Sequence, residues 1–375
     1  MLSLVPGDRR IGASCGGHML PPTPTGASKN QLMKAVLFRK HGGPEVLEYV
    51  DFPAPVPARD QVLVRLRFAA LNRMDVAVRQ GWPGIKLELP HINGADGAGE
   101  VAAVGEAVSE FSTGDRVVIN ANIGCGQCEM CTSGWDNRCH NWHLLGETVR
   151  GTYAEFVCVP ARQLYRLPQV FDFKIAAAAA LVFQTAWHSL ITRGALQAGE
   201  TVLIVGAGGG VNTACISVAR LQGARVVVVG SSSQKLDRAK SLGADVVINR
   251  AEVRDWSKAA FEATDKRGVD VVVDNVGTTF MESLRALRKG GRLVTVGSSG
   301  GPMVEIDNRY LFYRHISIIG STMSPLSDFR TAMDLVTAGK LSPSMDMTCE
   351  LPAAAEAQRR LESGAHFGKI TLDIG

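Results

Sequence analysis

A series of short apolar segments, alternating with amphipathic ones, fills the second half of this 375-residue chain. The apolar segments read TVLIV, RVVVV, DVVIN, DVVVD and RLVTVG, and helix-like stretches such as VNTACISVARLQ, SQKLDRAKSLG and FMESLRALRKG separate most of them. Parallel strands need crossover connections, and helices on both faces bury such a sheet. The alternation therefore predicts βαβ units and an α/β fold with a doubly wound parallel sheet.

The first half of the chain has a different pattern. Segments such as KAVLF, QVLVRLRF, GEVAAVG and DRVVIN are strand-like, and Gly/Pro turns join them without crossover helices. We therefore expect a β-rich domain followed by an α/β domain. Residues 1–32 are rich in Pro and Gly with little apolar periodicity, and they are predicted to be a disordered extension.

Composition argues against two classes of partner. The net charge is +4 and the basic residues are scattered, so we expect no nucleic-acid partner. No apolar run reaches the roughly 18 residues of a membrane span, so no membrane partner is expected. The alanine-rich stretch 176–182 is predicted to be a short buried helix.

A glycine-rich turn follows the first central strand, TVLIV, and precedes a helix. Glycines let the backbone approach a pyrophosphate, and the helix N-terminus offers free N–H groups. A turn without a ligand is the alternative, because a strict G-x-G-x-x-G is not present. The candidate cofactor-binding residues here are Gly206, Gly208, Gly209, Gly210 and Val211.

The end of the second central strand bears on the choice of cofactor. NAD-specific sites usually carry an acidic residue there for the ribose 2′-hydroxyl. This chain has Gly230 instead, followed by Ser231 and, further on, Lys235 and Arg238. Hydroxyl and ammonium groups bind a 2′-phosphate, so we predict NADP(H). The alternative is that Lys235 and Arg238 only solvate a helix face.

Four cysteines, with the spacing C-x2-C-x2-C-x7-C, lie in one short loop: Cys125, Cys128, Cys131 and Cys139. Four thiolates this close in sequence form the closed shell of a structural zinc site. We expect one zinc ion per chain, with disulfides or an iron–sulfur cluster as alternatives. Reduced thiols with a zinc loop indicate a cytoplasmic protein.

Together these motifs resemble the medium-chain dehydrogenase/reductase superfamily, the group of zinc-type alcohol dehydrogenases and quinone oxidoreductases. The resemblance rests on MKAVLF, GADGAGEVAAVG, the four-cysteine loop, GTYAEF, AGGGV and HFGKI. It implies a GroES-like β-rich catalytic domain interrupted by a Rossmann domain. The expected boundaries are 33–184 plus 321–375 for the catalytic domain and 185–320 for the Rossmann domain.

The resemblance also implies where a catalytic zinc would bind, and this chain departs from the family there. The family's first ligand position falls at Asn72, its histidine position at Ala95, and its third position near Gln184. His91, Asp96 and Asp75 are the residues that could make an improvised site. The resulting catalytic candidates are Asn72, Asp75 and Gln184.

Further cofactor positions are implied by the same resemblance. The candidates are Asn275, Val276, Gly297, Ser298 and Lys369. With the cofactor turn intact and the metal ligands replaced, we expect hydride transfer from NADPH to a small-molecule conjugated carbonyl or quinone. The alternatives are a zinc-type alcohol dehydrogenase or ketone reductase, and a nucleotide-binding protein with little turnover.

The segment HISIIGS, residues 315–321, predicts the oligomeric state. It should be the last strand of the Rossmann sheet, and a long apolar edge strand is an aggregation hazard unless it is paired. Pairing with a second copy would give a homodimer, or a homotetramer built from dimers.

Overall fold

The structure is a computed structural model that describes residues 31–82 and 84–375. The predicted disordered extension, residues 1–32, lies outside the described residues except for its last two. Of these, Leu32 already begins the first strand.

The strands of the described residues, numbered in chain order, belong to four sheets. They are β1 Leu32–Phe38, β2 Glu48–Pro53, β3 Gln61–Ala70, β4 His91–Ile92, β5 Asp96–Val104, β6 Arg116–Ile119, β7 Asn122–Ile123, β8 His143–Leu144, β9 Phe156–Pro160, β10 Leu164–Arg166, β11 Thr201–Val205, β12 Arg225–Gly230, β13 Val246–Asn249, β14 Val269–Asp274, β15 Leu287–Thr295, β16 Ser317–Gly320, β17 Met345–Glu350 and β18 Lys369–Asp373.

The helices lie mostly in the second half of the chain. They are α1 Arg73–Gln80, α2 Glu129–Thr132, α3 Phe173–Trp187, α4 Gly210–Leu221, α5 Ser233–Ser241, α6 Trp256–Glu262, α7 Phe280–Ala286, α8 Asn308–Arg314, α9 Leu326–Thr337 and α10 Ala354–Glu362. Short 3₁₀ helices occupy Pro44–Val46, Asp136–Arg138, Ala161–Gln163 and Leu351–Ala353, and a π-helix over His188–Arg193 continues α3.

The predicted parallel sheet is present. Its order is β13-β12-β11-β14-β15-β16, and every pairing in it is parallel. The order reverses at β11, and the carboxyl ends of β11 and β14 open a crevice there, where ligands of doubly wound sheets bind. The central strands β11, β12 and β14 are Val-rich and buried on both faces.

The tail of the chain returns to the first half of the protein. β18 pairs antiparallel with β3, and β17 pairs parallel with β18, giving the order β10-β6-β5-β3-β18-β17 with β9 also on β3. This is the return that a GroES-like domain with an inserted Rossmann domain requires. The exact domain boundaries remain a prediction.

Helix α3 connects the two parts of the fold. It packs on one side against β3, β5, β6 and β18 and on the other against α4 and α9. Asp172 caps its start by accepting the Lys174 N–H at 2.7 Å. The alanines from Ala176 to Ala180 are buried, because small side chains let the helix approach both neighbours closely.

Two predicted elements differ in length. The helical stretch Phe173–Arg193 has 21 residues and is long and apolar enough to cross a membrane, but 78% of its most apolar window is buried, as in a core helix. The helix predicted over FMESLRALRKG ends at Ala286. Strand β15 begins at Leu287, because that residue already pairs with Val269.

Candidate active site

The glycine turn between β11 and α4 has the geometry of a phosphate-binding turn. Gly206 has a φ of +107°, which favours glycine. The Asn212 side-chain amide donates 2.8 Å hydrogen bonds to the carbonyls of Val205 and Gly206, which holds the turn in shape. Gly209, the N-cap residue of α4, provides no side-chain cap, so the first N–H groups of that helix remain available to an anion.

The tail of the chain covers one side of this turn. The Gly368 N–H donates to the Gly208 carbonyl at 2.8 Å, and Gly209 forms an isolated bridge with Gly368. A Cβ at Gly208 would lie 2.8 Å from Lys235 Cδ and 3.3 Å from the carbonyl oxygen of His366. The space above the turn is therefore shaped by Lys235 and the HFGK segment together.

The end of β12 has no room for an acidic side chain. A Cβ at Gly230 would lie 2.8 Å from the Ala207 Cβ. Ser231 is exposed, and the Lys235 ammonium donates to the Gly364 carbonyl. The Arg238 guanidinium lies 3.9 Å from the centre of the Phe367 ring. This edge of the cleft is cationic.

His366 belongs to the same cationic edge. It is 7% exposed, and its Nδ1 has no hydrogen-bond partner. Burial, followed by the nearby charges of Lys235 and Arg73, lowers the pKa of His366 to about 4. The imidazole is therefore neutral at physiological pH and leaves the positive charge to its neighbours.

The ends of β14 and β15 form the opposite side of the cleft. Asp274 accepts hydrogen bonds from the backbone N–H groups of Val276 and Gly277 and from the hydroxyls of Thr279 and Ser283, so the turn after β14 is held rigidly.

The next turn is joined to this one. Asn275 Oδ1 accepts the Val296 N–H at 2.9 Å, and a Cβ on Gly277 would lie 4.0 Å from Ser298 Cα. The predicted positions Asn275, Val276, Gly297 and Ser298 thus lie at one edge of the sheet.

A buried hydrogen-bond network lies where the resemblance places the catalytic metal. The Lys369 ammonium donates to the Leu71 carbonyl at 2.7 Å and to Asn72 Oδ1 and Asp96 Oδ2, both at 2.8 Å. Asn72 Nδ2 donates to the same Asp96 oxygen at 2.9 Å, and Asp96 Oδ1 accepts the Leu181 N–H at 2.8 Å. Lys369 is 2% and Asp96 1% exposed.

Lys369 is predicted to contact the cofactor, and the structure places part of its side chain near the glycine turn. Its carbon stem does approach the glycine turn, because a Cβ at Gly210 would lie 2.9 Å from Lys369 Cδ. The ammonium, however, points to Asp96 and Asn72. Its three hydrogens are all used by three oxygens, so it has no proton to offer a ligand without breaking one of these bonds.

Asp75 lies behind Asn72 and is fully buried. Its Oδ2 accepts the Asn72 N–H at 2.7 Å and the Tyr153 hydroxyl at 2.9 Å. Burial raises the pKa of Asp75 to about 6, although both hydrogen bonds act in the other direction. The carboxylate caps helix α1 and sets the position of Asn72, and it has no contact with the glycine turn.

Gln184 lies on α3, one turn beyond Leu181. Its Oε1 accepts the Ser324 hydroxyl at 2.8 Å, and its buried Nε2 has no partner. The structure gives it no hydrogen bond to Asn72 or Asp96, so the predicted catalytic set is not brought into one network.

The improvised metal site does not form among the described residues. His91 Nε2 is 3.2 Å from the Gly146 carbonyl oxygen, while Asp96 is paired with Lys369 and Asp75 with Tyr153. Burial lowers the pKa of His91 to about 4. The residues at the family's metal position therefore do not fit a zinc ion.

The four-cysteine loop does fit a zinc ion. The four sulfurs lie within 4.8 Å of one another, with Cys125 and Cys131 3.9 Å apart and Cys128 and Cys139 3.7 Å apart. A tetrahedron with Zn–S bonds of about 2.3 Å requires sulfurs about 3.8 Å apart. These separations are much longer than a disulfide bond, so the disulfide alternative is wrong.

The backbone of this loop favours the thiolate of Cys125, whereas burial raises the pKa of the Cys131 and Cys139 thiols. The N–H groups of Gln127 and Cys128 point at the Cys125 sulfur and lower the pKa of that thiol to about 6. The thiolate is the form that binds metal. Zinc held here would be structural, because four sulfurs leave no coordination position for a substrate.

Two sequence profiles match the chain. The profile described as alcohol dehydrogenase GroES-like domain matches residues 58–169, and the profile described as zinc-binding dehydrogenase matches residues 210–338. The chain is also 30% identical over 355 residues to human quinone oxidoreductase, with 92% of this chain and 99% of that protein covered. The chain belongs to the medium-chain dehydrogenase/reductase superfamily.

Two other members of the superfamily show its range. Acryloyl-coenzyme A reductase of Metallosphaera sedula is 33% identical over 343 residues, with 91% of this chain and 99% of that protein covered. A crystal structure of an NAD-dependent alcohol dehydrogenase is 44% identical, with a TM-score of 0.88, and the match covers 92% of this chain and 100% of that one. This chain is an NAD(P)-dependent oxidoreductase of the same superfamily, acting on a small-molecule substrate.

Sequence reasoning missed the contacts that define this dehydrogenase/reductase site. The sequence patterns indicate Asp96 only as a possible metal ligand, and they give no signal for the backbone groups of Leu71 and Leu181. One signal was present: Lys369 begins the apolar strand KITLDIG, and a lysine there needs a buried partner.

We predict one tightly bound zinc ion per chain, held by the four-cysteine loop. Cys128→Ser should lower the zinc content below one ion per chain and lower the melting temperature, because three thiolates no longer close the tetrahedral shell. Metal analysis and thermal unfolding of the purified protein test this. A second tightly bound zinc in the wild-type protein, or none after zinc-replete expression, would contradict it.

Proposed function

We propose that this enzyme reduces a conjugated carbonyl compound or a quinone with NADPH, without a catalytic zinc ion. The observation that carries the proposal is the set of side chains at the family's metal position. A methyl group at Ala95, an amide at Asn72 and an ion pair between Asp96 and Lys369 offer no zinc shell.

The chemistry of the acceptor agrees with this set of side chains. When bound, the reduced nicotinamide supplies a hydride. A plain ketone then becomes an alkoxide, which needs a metal or an immediate proton. An enone or a quinone becomes an enolate or phenolate, whose charge is spread over several atoms. Hydrogen-bond donors are enough for such an anion, and solvent can protonate it later.

Asn72 is the donor that the geometry favours. Its Oδ1 accepts from the Lys369 ammonium, which polarises the amide and strengthens its N–H groups as donors. One amide hydrogen is held by Asp96 at 2.9 Å, whereas the other has a weak partner, the Ala70 carbonyl at 3.5 Å. That second hydrogen is available to a developing oxyanion.

Asn72→Ala should lower kcat by roughly 10²–10³, the usual cost of losing one oxyanion donor. The dissociation constant of NADPH should change little, since the amide does not contact the glycine turn. Steady-state kinetics with a quinone and an enone, together with a fluorescence titration of NADPH, measure both quantities. Reversible loss of activity on chelation without unfolding, or simple alcohols turning over far better than enones and quinones, would favour zinc-dependent alcohol dehydrogenase chemistry instead.

The preference for NADPH rests on the cationic edge of the cleft. No acidic side chain fits at Gly230, and Lys235 and Arg238 lie in the first two turns of the helix α5 that follows it. Burial lowers the pKa of Lys235, and Asp346 and Arg360 act on it in opposite directions. A bound phosphate would stabilise the charged ammonium and would itself gain a charge-assisted contact.

Lys235→Ala should weaken NADPH binding by about 1.5–3 kcal/mol and leave NADH binding nearly unchanged, because only NADPH carries the 2′-phosphate. Lys240→Ala is the matched control, since Lys240 is an exposed lysine on the same helix. Both cofactors can be titrated by fluorescence against the three proteins. Equal or tighter binding of NADH by the wild-type enzyme would refute the preference.

We also propose that the enzyme is a homodimer, or a tetramer of dimers, joined through β16. This strand lies at the edge of the parallel sheet in the described part of the chain, and Ile318 on it is 37% exposed. The nearby side chains of Phe312 and Tyr313 are also exposed. An apolar edge strand of this kind is protected by pairing with a second copy.

Ile318→Glu should convert the dimer to a monomer, because a buried unpaired carboxylate at the paired edge is costly. Val170→Glu, at an exposed position in the other part of the fold, is the control and should leave the dimer intact. Light scattering at micromolar concentration distinguishes the species. A monomeric wild-type protein would contradict the proposal.

A further inference from the structure

The short 3₁₀ helix between the third and fourth cysteines contacts a distant helix. Asp136 Oδ1 accepts the Leu326 N–H at 2.9 Å, across 190 residues of sequence. Helix α9 begins at Leu326 after Pro325 and has no side-chain cap of its own. A carboxylate at a helix N-terminus satisfies a free N–H and complements the helix dipole. Asp136 thus caps α9 from within the four-cysteine loop.

The next residue, Asn137, makes a second connection. It is buried, and its amide nitrogen lies 3.4 Å from the Thr322 carbonyl oxygen and 3.5 Å from His188 Nε2. His188 starts the π-helical end of α3, and its Nδ1 lies 2.7 Å from Asp328 Oδ2. The loop therefore contacts both α3 and the start of α9.

The segment that these contacts hold, Thr322–Leu326, packs against residues beside the proposed reaction site. Met323 packs in the same apolar cluster as Ala95 and Leu181. The Ser324 hydroxyl donates to Gln184 at 2.8 Å. The Leu181 N–H on α3 donates a hydrogen bond to Asp96, which belongs to the network around Asn72. A shift of this segment or of α3 would therefore move the residues of that network.

One further contact holds Asp136, because its Oδ2 accepts a hydrogen bond from the Asn122 side-chain amide at 2.9 Å. The rest of the four-cysteine loop has little regular structure. Its helix α2 has four residues, none of them buried. A single helical turn is not stable alone, so the loop depends on its metal for a defined shape.

We propose that the zinc loop positions this side of the proposed reaction site, with Asp136 and Asn137 as positioning residues that hold Thr322–Leu326 and α3. This inference rests on the proposed function for its kinetic effects. Its structural effects are independent of the reaction and are measured separately.

The first test is Asp136→Ala. The variant should retain one zinc ion per chain and bind NADPH within about twofold of wild type, yet lose tenfold or more in kcat/KM for the conjugated acceptor. Backbone hydrogen exchange should accelerate at 322–329. Ser133→Ala is the matched control, because the Ser133 hydroxyl bonds only within the loop, to the Met130 carbonyl.

A second variant separates positioning from stability. Adding Pro325→Ser to Asp136→Ala gives α9 a local N-cap, which should restore the melting temperature but not kcat/KM. Recovery of both together would show that Asp136 only stabilises the helix and would overturn the proposal. If Asp136→Ala loses zinc, Asn137→Ala replaces it, since that change removes only the contacts to Thr322 and His188.

Zinc removal gives the test that does not depend on activity. Stripping the metal should accelerate hydrogen exchange at 322–329 and at 184–193 while the β11–β12 strands stay protected. Unchanged exchange in both segments, in stripped protein or in Asp136→Ala, would overturn the proposal. A wild-type enzyme that reduces no enone or quinone would overturn the proposed function, while these exchange measurements would still decide the role of the loop.

Discussion

The contact between Lys369 and Asp96 is the interaction on which the rest of the site depends. Removing two charges from water costs free energy. This cost is offset here because both groups make further hydrogen bonds, to Asn72 and to the backbone of Leu71 and Leu181. Removing one partner would leave the other charge buried and unpaired, at a cost of about 3–5 kcal/mol. The pair also joins β18, β5 and α3, so the returning tail, the β-rich sheet and the central helix meet at one point.

Helix α3 is the element through which the two parts of the fold act on each other. The alanine-rich face lets it pack between the antiparallel sheet and helices α4 and α9. The same helix carries the N–H that holds Asp96, the amide of Gln184 and, at its π-helical end, His188. A π-helical turn within an α-helix often marks a functional region. In this helix the π-helical turn begins at His188, which the four-cysteine loop contacts through Asn137.

Local patterns predicted much of this arrangement. The alternation of apolar strands and helices indicates the parallel sheet, the glycine turn indicates the cofactor cleft, and the cysteine spacing indicates four converging sulfurs. Each of these signals is a pattern of residues that are near one another in the sequence. The position of the Lys369 ammonium was not predictable in this way. It depends on β18 pairing with β3 and on α3 crossing beside them, and both are long-range packing outcomes. The hydrogen bond by which Asp136 caps helix α9 joins residues 190 positions apart, so it too is set by long-range packing. Helix α7 was predicted too long for a related reason, since pairing of Leu287 in the sheet overrides its local helix propensity.

The four-cysteine loop and the Lys369 ammonium have different chemical capacities. Zinc held in the loop would have a closed sulfur shell, so it could organise the protein but could not polarise a substrate. The Lys369 ammonium is inside the site, but its three hydrogens are held by Leu71, Asn72 and Asp96, so it acts through Asn72 and not as a proton donor. Neither group provides the Lewis acid or the immediate proton that an alkoxide needs. We propose that an amide polarised by a buried cation is sufficient to stabilise an anion that is already delocalised, and this supports conjugated acceptors over simple ketones as the substrates.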